Sequence, residues 1–193
     1  MIKKKSRKFT DYLLKNTELG SLYKNKVLYI LGSWVRGLPK IRDIDLVVIK
    51  ENRNEFWKII ENPNSKFNRL YEFKITSGNK DGKKLHGVLK NKNTGKSIGV
   101  DITIVNKKQL PFAKLFWVGN NNFGIAMKIL AKAKGYKLTD THLFSVDKSG
   151  QIHYNTDIKN ESDIFKRLGY KFVPYKDREV NTIKDAISII RRV

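Results

Sequence analysis

The sequence predicts an α+β fold, in which a mixed β-sheet backed by helices is followed by a small α+β carboxy-terminal subdomain. Short runs of β-branched and aliphatic residues recur at 27–31, 43–49 and 98–105, and turn residues bound them. Stretches with helical spacing alternate with these runs, at 53–60 and again at 123–134. Pro111 follows the last run, so we predict one domain over 1–110 and a second over 111–193.

The composition bounds the size of the protein and the nature of its partner. A chain of 193 residues can bury one adequate core, with a small appended subdomain. Its 40 Lys and Arg residues against 18 Asp and Glu residues give a net charge of +22, for which nucleic acid is the expected polyanion. A membrane is the competing partner. It is disfavoured because the sequence has no long basic amphipathic helix with Trp and Leu opposite.

Other compositional features exclude several kinds of site. The chain has no cysteine, which excludes disulfides and cysteine-ligated zinc. His86, His142 and His153 lack metal-ligand spacing, and we interpret each as an ordinary surface or core histidine. The sequence shows neither a signal peptide nor a membrane span. We therefore expect an intracellular protein, in the nucleus or cytoplasm, or in a viral factory or virion if the source is viral.

In chain order, the first half alternates helices and strands. Residues 1–8 are basic and predict a solvated end, an arm that touches phosphates or a nuclear address. A helix is predicted over 9–15, ending near Gly20, and another over 53–60 that covers the sheet. Further strands are predicted at 69–76, 84–90 and 98–105, joined by loops rich in turn residues.

The second half begins with an aromatic segment at 112–119. The helix predicted over 123–134 has an apolar side and ends at Gly135, which is suited to a C-cap. Asn160 is predicted to cap a helix that continues to Leu168. A loop over 173–178 and a last helix over 185–192 complete the prediction.

The segment from residue 27 to 49 concentrates the polar residues that suggest chemistry. Gly32 permits a tight turn after the first buried run, and Ser33 can open a helical turn whose free N–H groups suit a phosphate. Arg36 is three residues further on and shares a face with Ser33. Asp43 and Asp45 then alternate with apolar residues in a strand, so both carboxylates point to the same side.

Two carboxylates held side by side repel each other unless a cation lies between them. Oxygen ligands select Mg²⁺ or Mn²⁺ over softer metals. An Asp-x-Asp pair alone is a weak signal, because it occurs in many turns and exposed strands. A pair that faces a phosphate-binding turn is far more specific, and it suggests nucleotidyl transfer.

The Gly-Ser turn, the following Arg and the Asp-x-Asp strand resemble the signature of the polymerase-β-like nucleotidyltransferase superfamily. That superfamily has a third carboxylate on a neighbouring strand, and Asp101 fits it because Val100 and Ile102 lie on the opposite face. The resemblance implies a palm subdomain with Asp43, Asp45 and Asp101 as catalytic residues. The same three would hold two Mg²⁺ ions, with Mn²⁺ as a substitute.

The order and spacing over residues 27–179 resemble an X-family DNA polymerase, the group that includes DNA polymerase β. Phe116, Trp117 and Gly119 lie in a segment similar to the family's Tyr-Phe-Thr-Gly, which flanks the incoming sugar. With Gly32, Ser33 and Arg36, they form the expected nucleotide-binding set. Lys128 and Lys132, on the basic helix, are the expected DNA-binding residues.

The chain departs from the family pattern in several respects. Gly99 stands where a basic residue often supports the primer end, and Lys128 replaces an Arg. The family's amino-terminal lyase and helix-hairpin-helix regions have no room before Val27. The chain therefore resembles the minimal viral members that keep only the palm and the carboxy-terminal nucleotide-selection subdomain, and we expect no lyase activity.

These inferences predict a DNA-directed DNA polymerase that adds dNMPs to a primer 3′-hydroxyl, with short-gap repair synthesis as its role. The expected partners are primer–template or gapped DNA and dNTP, with no membrane partner and a monomeric state. A template-independent terminal transferase or another nucleotidyltransferase is the alternative within enzymes. A non-catalytic DNA-binding protein is the alternative outside them.

Overall fold

The chain divides into two compact units, Met1–Asn106 and Lys107–Val193. The computed structural model describes residues 5–192, so part of the predicted basic arm (residues 1–4) lies outside the described residues. The division between the units falls shortly before Pro111, which lies in the first turn of a helix. Each unit has its own hydrophobic core.

The first unit combines helices with a five-stranded sheet. Its strands and α-helices are, in chain order, β1 (Lys5–Ser6), α1 (Lys8–Asn16), α2 (Leu19–Lys24), β2 (Leu28–Ile30), α3 (Gly32–Val35), β3 (Lys40–Ile41), β4 (Asp43–Ile49), α4 (Arg53–Glu61), α5 (Lys66–Leu70), β5 (Tyr71–Gly78), β6 (Lys84–Asn91) and β7 (Ser97–Val105). A 3-10 turn at Lys50–Asn52 precedes α4. The strand order in the large sheet is β2-β4-β7-β6-β5, with β4 and β7 parallel and the other pairs antiparallel.

The two faces of this sheet differ in chemistry. On one face, apolar side chains of the central strands pack against α1, α2, α4 and α5, as Ile44, Val100 and Phe56 illustrate. Alternation along each strand sends the intervening residues to the other face. We call that other face the acidic face, because it carries Asp43 and Asp45 of β4. The mixed, helix-backed sheet confirms the predicted fold class.

Two helices of the first unit differ from the predictions. Gly20 does not end the first helix but lies within α2, where its backbone contacts the carbonyl of Leu14 so closely that a Cβ would overlap it. Gly20 thus allows α2 to pack against α1. The predicted strand at 69–76 begins instead at Tyr71, because Ser65 caps α5 by accepting the N–H of Asn68 at 3.0 Å.

The second unit is built from helices and a small antiparallel sheet. Its elements are α6 (Leu110–Val118), α7 (Asn121–Ala133), β8 (Lys137–Leu138), β9 (Leu143–Val146), β10 (Ile152–Tyr154), α8 (Glu161–Arg167) and α9 (Ile183–Arg192). The strand order is β10-β9-β8. The predicted apolar side of α7 is buried in the core. The predicted cap of α8 is also present, since Asn160 and Asp163 form a reciprocal capping box.

The predicted loop over 173–178 is a 3-10 turn at Tyr175–Arg178 that delivers Arg178 into the core of the second unit. The Arg178 guanidinium is fully buried and donates hydrogen bonds to Glu161 and to the carbonyl of Val173. Phe123, Phe165, Phe172 and Tyr175 surround it with ring centroids 4.8–5.3 Å away. This side chain therefore joins the helices of the second unit.

None of the helices between residues 5 and 192 combines the length and the apolar character that a membrane span needs.

Replacing Glu161 by Gln should destabilise the second unit, because the buried Arg178 is left without its counter-charge. We expect the free energy of unfolding to fall by about 3–5 kcal/mol. Tyr175→Phe is the matched control: it removes a 3.0 Å hydrogen bond to the same carboxylate and should cost about 1 kcal/mol. Urea unfolding read by hydrogen exchange of peptides from 107–192 measures both, and equal effects of the two variants would contradict this account.

Candidate active site

The three predicted carboxylates lie together on the acidic face. Asp45 of β4 is in register with Asp101 of β7, and Asp43 is in register with Gly99. Register partners on parallel strands share a face, as do residues two positions apart on one strand. The backbone therefore places Asp43, Asp45 and Asp101 side by side.

The Gly-Ser turn is attached directly to this cluster. The N–H of Leu31 donates to the carbonyl of Asp45 at 2.9 Å. Gly32 follows with φ of +61°, and a Cβ at this position would overlap the Asp45 carboxylate. Both constraints require glycine. Ser33 and Arg36, both half-buried, therefore occupy a turn in contact with the central carboxylate.

Asp45 is in an environment that disfavours its charged form. Burial raises its pKa to about 7, and the negative charges of Asp43 and Asp101 add to the effect. The positive charges of Arg36 and Arg42 act in the opposite direction. Perturbed carboxylates of this kind are concentrated at functional sites.

The outer two carboxylates each have a cationic or hydrogen-bonding neighbour. Arg42 donates from Nε to Asp43 at 3.2 Å, and Nδ1 of His86 lies 2.6 Å from Oδ1 of Asp101. His86 is in register with Asp101 across β6 and β7. The interpretation of His86 as an ordinary histidine overlooked this contact. The register of the β6–β7 hairpin is the signal that would have revealed it.

The cluster has the donor chemistry of a site for hard divalent cations. As the side chains stand, no three His, Asp or Glu residues in the described range 5–192 converge on one metal position. The carboxylates of Asp43 and Asp101 are instead turned to Arg42 and His86. The three-carboxylate set fits Mg²⁺ or Mn²⁺ in ligand type and in the like-charge repulsion that a cation relieves.

Lysines flank the carboxylates on the same face. Lys90 of β6 is in register with Ser97 of β7. Lys74 of β5 is in register with Val88 of β6, and Val88 is in register with Gly99 of β7. Lys74 and Lys90 are both exposed. The acidic face thus passes from a carboxylate cluster on β4 and β7 to Lys74 and Lys90 on β5 and β6, where Glu72 of β5 is in register with Lys90. The two lysines suit a phosphate backbone beside the carboxylates.

The predicted residues of the second unit lie on α6 and α7. Phe116 and Trp117 are half-buried near the end of α6, and Gly119 follows as its C-cap. Lys128 is exposed on α7, with Nζ 4.7 Å from the centroid of the Phe116 ring. Lys132, one turn further along, is also exposed. The second unit therefore brings one predicted nucleotide-binding ring into contact with one predicted DNA-binding lysine.

Residues 113–179 match the family model of the DNA polymerase beta thumb. The match lies entirely within the second unit and covers α6 to the 3-10 turn that carries Arg178. A thumb of this type implies DNA binding, and it suggests a nucleotidyltransferase of the polymerase class.

With the helix-backed mixed sheet of the first unit, this match supports the assignment of the chain as an X-family DNA polymerase β-like protein. The predicted resemblance is confirmed.

The raised pKa of Asp45 should make the metal-free protein less stable as the pH rises. In the folded protein Asp45 keeps its proton up to about pH 7, whereas its ordinary pKa is 3.8. Between pH 3.8 and about pH 7 the folded state therefore binds more protons than the unfolded state. Because of this difference, the free energy of unfolding falls as the pH rises, by up to about 4 kcal/mol. Asp45→Asn should remove this fall. Urea unfolding in EDTA between about pH 5 and pH 8 measures it, and parallel curves for the two proteins would contradict the prediction.

Proposed function

We propose that this protein is a template-directed DNA polymerase of the X family that adds dNMPs to a primer 3′-hydroxyl, with short-gap repair synthesis as its role. The observation that carries the proposal is the placement of Asp43, Asp45 and Asp101 on one face of adjacent strands, in contact with the Gly32 turn. The polymerase beta thumb in the same chain supports a polymerase rather than another nucleotidyltransferase.

Asp43, Asp45 and Asp101 are the residues that would hold Mg²⁺. When bound, such ions lower the pKa of the attacking hydroxyl and neutralise the charge of the triphosphate and the leaving pyrophosphate. In the reaction the primer 3′-oxygen forms a bond to the α-phosphorus, and the bond from that phosphorus to pyrophosphate breaks.

The turn residues have a positioning role in this proposal. Ser33 provides a hydroxyl and Arg36 a guanidinium beside Asp45, and both suit the oxygens of a triphosphate. Their contribution is to hold the phosphates in line with the attacking hydroxyl and to offset developing negative charge. Gly32 supports this turn by allowing it to contact Asp45.

Asp101 is the residue proposed to accept the proton of the primer hydroxyl. Nδ1 of His86 contacts Oδ1 of Asp101 at 2.6 Å. A hydrogen bond of this kind restricts rotation of the carboxylate and leaves Oδ2 for other partners. We therefore assign His86 as a positioning residue for Asp101. Gly99 has no side chain with which to make a polar contact, and His86 provides one from the neighbouring strand.

Duplex DNA and dNTP are the proposed substrates. Lys74 and Lys90 on the acidic face, and Lys128 and Lys132 on α7, are the proposed contacts to DNA phosphates. Phe116, Trp117 and Gly119 are the proposed contacts to the incoming nucleotide, through ring and backbone surfaces. Primer extension with each dNTP supplied singly, with and without template, separates this proposal from a terminal transferase, because only a template-directed enzyme requires the complementary base.

Replacing Asp101 by Asn should lower primer extension by at least about 10²–10³-fold, because the amide removes a metal ligand and the proton acceptor without changing the shape. Binding of gapped DNA in EDTA should be unchanged. Asp81→Asn is the control, since Asp81 lies in the exposed turn between β5 and β6 and pairs with Arg53. Extension by Asp101→Asn at the rate of the control would exclude the proposed chemistry, because the reaction would then need neither a metal ligand nor a proton acceptor at this position.

His86→Ala should lower kcat for single-nucleotide insertion by about 10–100-fold, because Asp101 loses the partner that orients it. The KM for dNTP should change little, since His86 does not belong to the proposed nucleotide site. His86→Asn places an amide N–H where Nδ1 stands and should recover most of the loss. Val88→Ala, two residues along the same face, is the control. A loss confined to KM, or no recovery with Asn, would refute the positioning role.

A further inference from the structure

A groove of about 640 Å³ lies among the helices of the first unit, between α1, α2 and α5. These helices pack against the face of the sheet that is opposite the acidic face. The groove is therefore not part of the candidate active site. Its lining residues are Tyr12, Lys15, Asn16, Thr17, Glu18, Ser21, Lys66, Arg69 and Leu70.

The groove is basic, and two of its cations have no acidic partner among residues 5–192. Lys15, Lys66 and Arg69 are all exposed. Within the described part of the chain, the side chains of Lys15 and Arg69 make no hydrogen bond or ion pair. These positive charges are therefore available to an external anion.

Glu18 is the one acidic residue of the groove, and the protein uses it internally. Its two carboxylate oxygens accept the backbone N–H groups of Lys66 and Phe67 at 2.7 and 3.0 Å. These bonds fix the start of α5. Glu18 offsets part of the charge of Lys66, which leaves a net positive groove.

An aromatic ring lies at the same place. Tyr12 belongs to the lining, and 46% of its surface is exposed. Cationic side chains that follow a backbone, with an exposed ring on which a base can stack, are the usual components of a surface for single-stranded nucleic acid. A small anion would use the cations but not the ring.

We propose that this groove binds the phosphate backbone of a nucleic-acid strand, as a second contact on the opposite side of the sheet from the carboxylate cluster. The proposal rests on the DNA partnership of the proposed function but not on its chemistry. A strand that reaches the groove must be a different segment from the one that meets Asp45, such as a single-stranded extension of the same DNA.

Binding of a labelled dT20 oligonucleotide in EDTA, at several salt concentrations, tests the proposal. The variant Lys15→Ala/Lys66→Ala/Arg69→Ala should bind at least about tenfold more weakly, and the slope of log K against log salt should become shallower by about 2. The control Lys24→Ala/Lys50→Ala/Lys58→Ala removes the same charge from exposed positions outside the groove. Equal losses of dT20 affinity in both triple variants would overturn the proposal. So would a groove variant that loses binding to phosphatidylserine vesicles but keeps its affinity for dT20.

Photo-crosslinking gives an independent test. Because the chain has no cysteine, a thiol-reactive label attaches only at a cysteine that is introduced by mutation. Ser21→Cys lies in the groove, and Asn54→Cys is an exposed control on α4. The Ser21→Cys variant labelled with an azidophenacyl group should crosslink to dT20, and the labelled Asn54→Cys control should not. Crosslinking that is equal at both positions would contradict a groove-specific contact.

The two proposals fail separately. Asp101→Asn should keep the groove crosslink while it loses extension. Absence of extension by the unlabelled Ser21→Cys protein, with the crosslink formed by its labelled form, would refute the polymerase and leave the groove. Normal extension without the crosslink would refute the groove alone.

Discussion

Mutual repulsion among three carboxylates on one face of a β-sheet is the constraint on which the first unit depends. Parallel pairing of β4 and β7 brings Asp45 and Asp101 into register, and Asp43 lies two residues away on the same face. This arrangement is unfavourable for the charged carboxylates: burial first, and then the charges of Asp43 and Asp101, raise the pKa of Asp45. A divalent cation bound to the three carboxylates would relieve this repulsion, which gives the cluster a function in metal binding.

The surroundings of the cluster are arranged around that constraint. Gly32 leaves room for the Asp45 carboxylate, Arg42 and His86 each contact one outer carboxylate, and lysines follow on the neighbouring strands. The helix-covered side of the same sheet carries a basic groove instead. The first unit thus presents two charged surfaces of different character, one suited to chemistry on phosphates and the other to holding them.

Much of this arrangement could be predicted from sequence, because it depends on local alternation. The strand at 43–49 and its paired Asp residues follow from the alternation of side chains between the two faces of a strand. The cap of α8 follows from Asn160 and Asp163. Contacts that depend on which elements become neighbours were not predictable. His86 meets Asp101 through strand pairing, and Arg178 meets Glu161 across the core of the second unit. Gly20 was misinterpreted because its role is helix packing rather than helix termination.

The central claim is that the carboxylates on β4 and β7 form a single site for divalent cations. Titration of the protein with Mn²⁺, followed by the loss of the free-ion electron paramagnetic resonance signal, tests it without reference to activity. The account predicts saturable binding by the wild-type protein, weakened about tenfold or more when Asp45 is replaced by Asn, with no change for Asp81→Asn. Equal Mn²⁺ binding by all three proteins, or no binding by any of them, would contradict it.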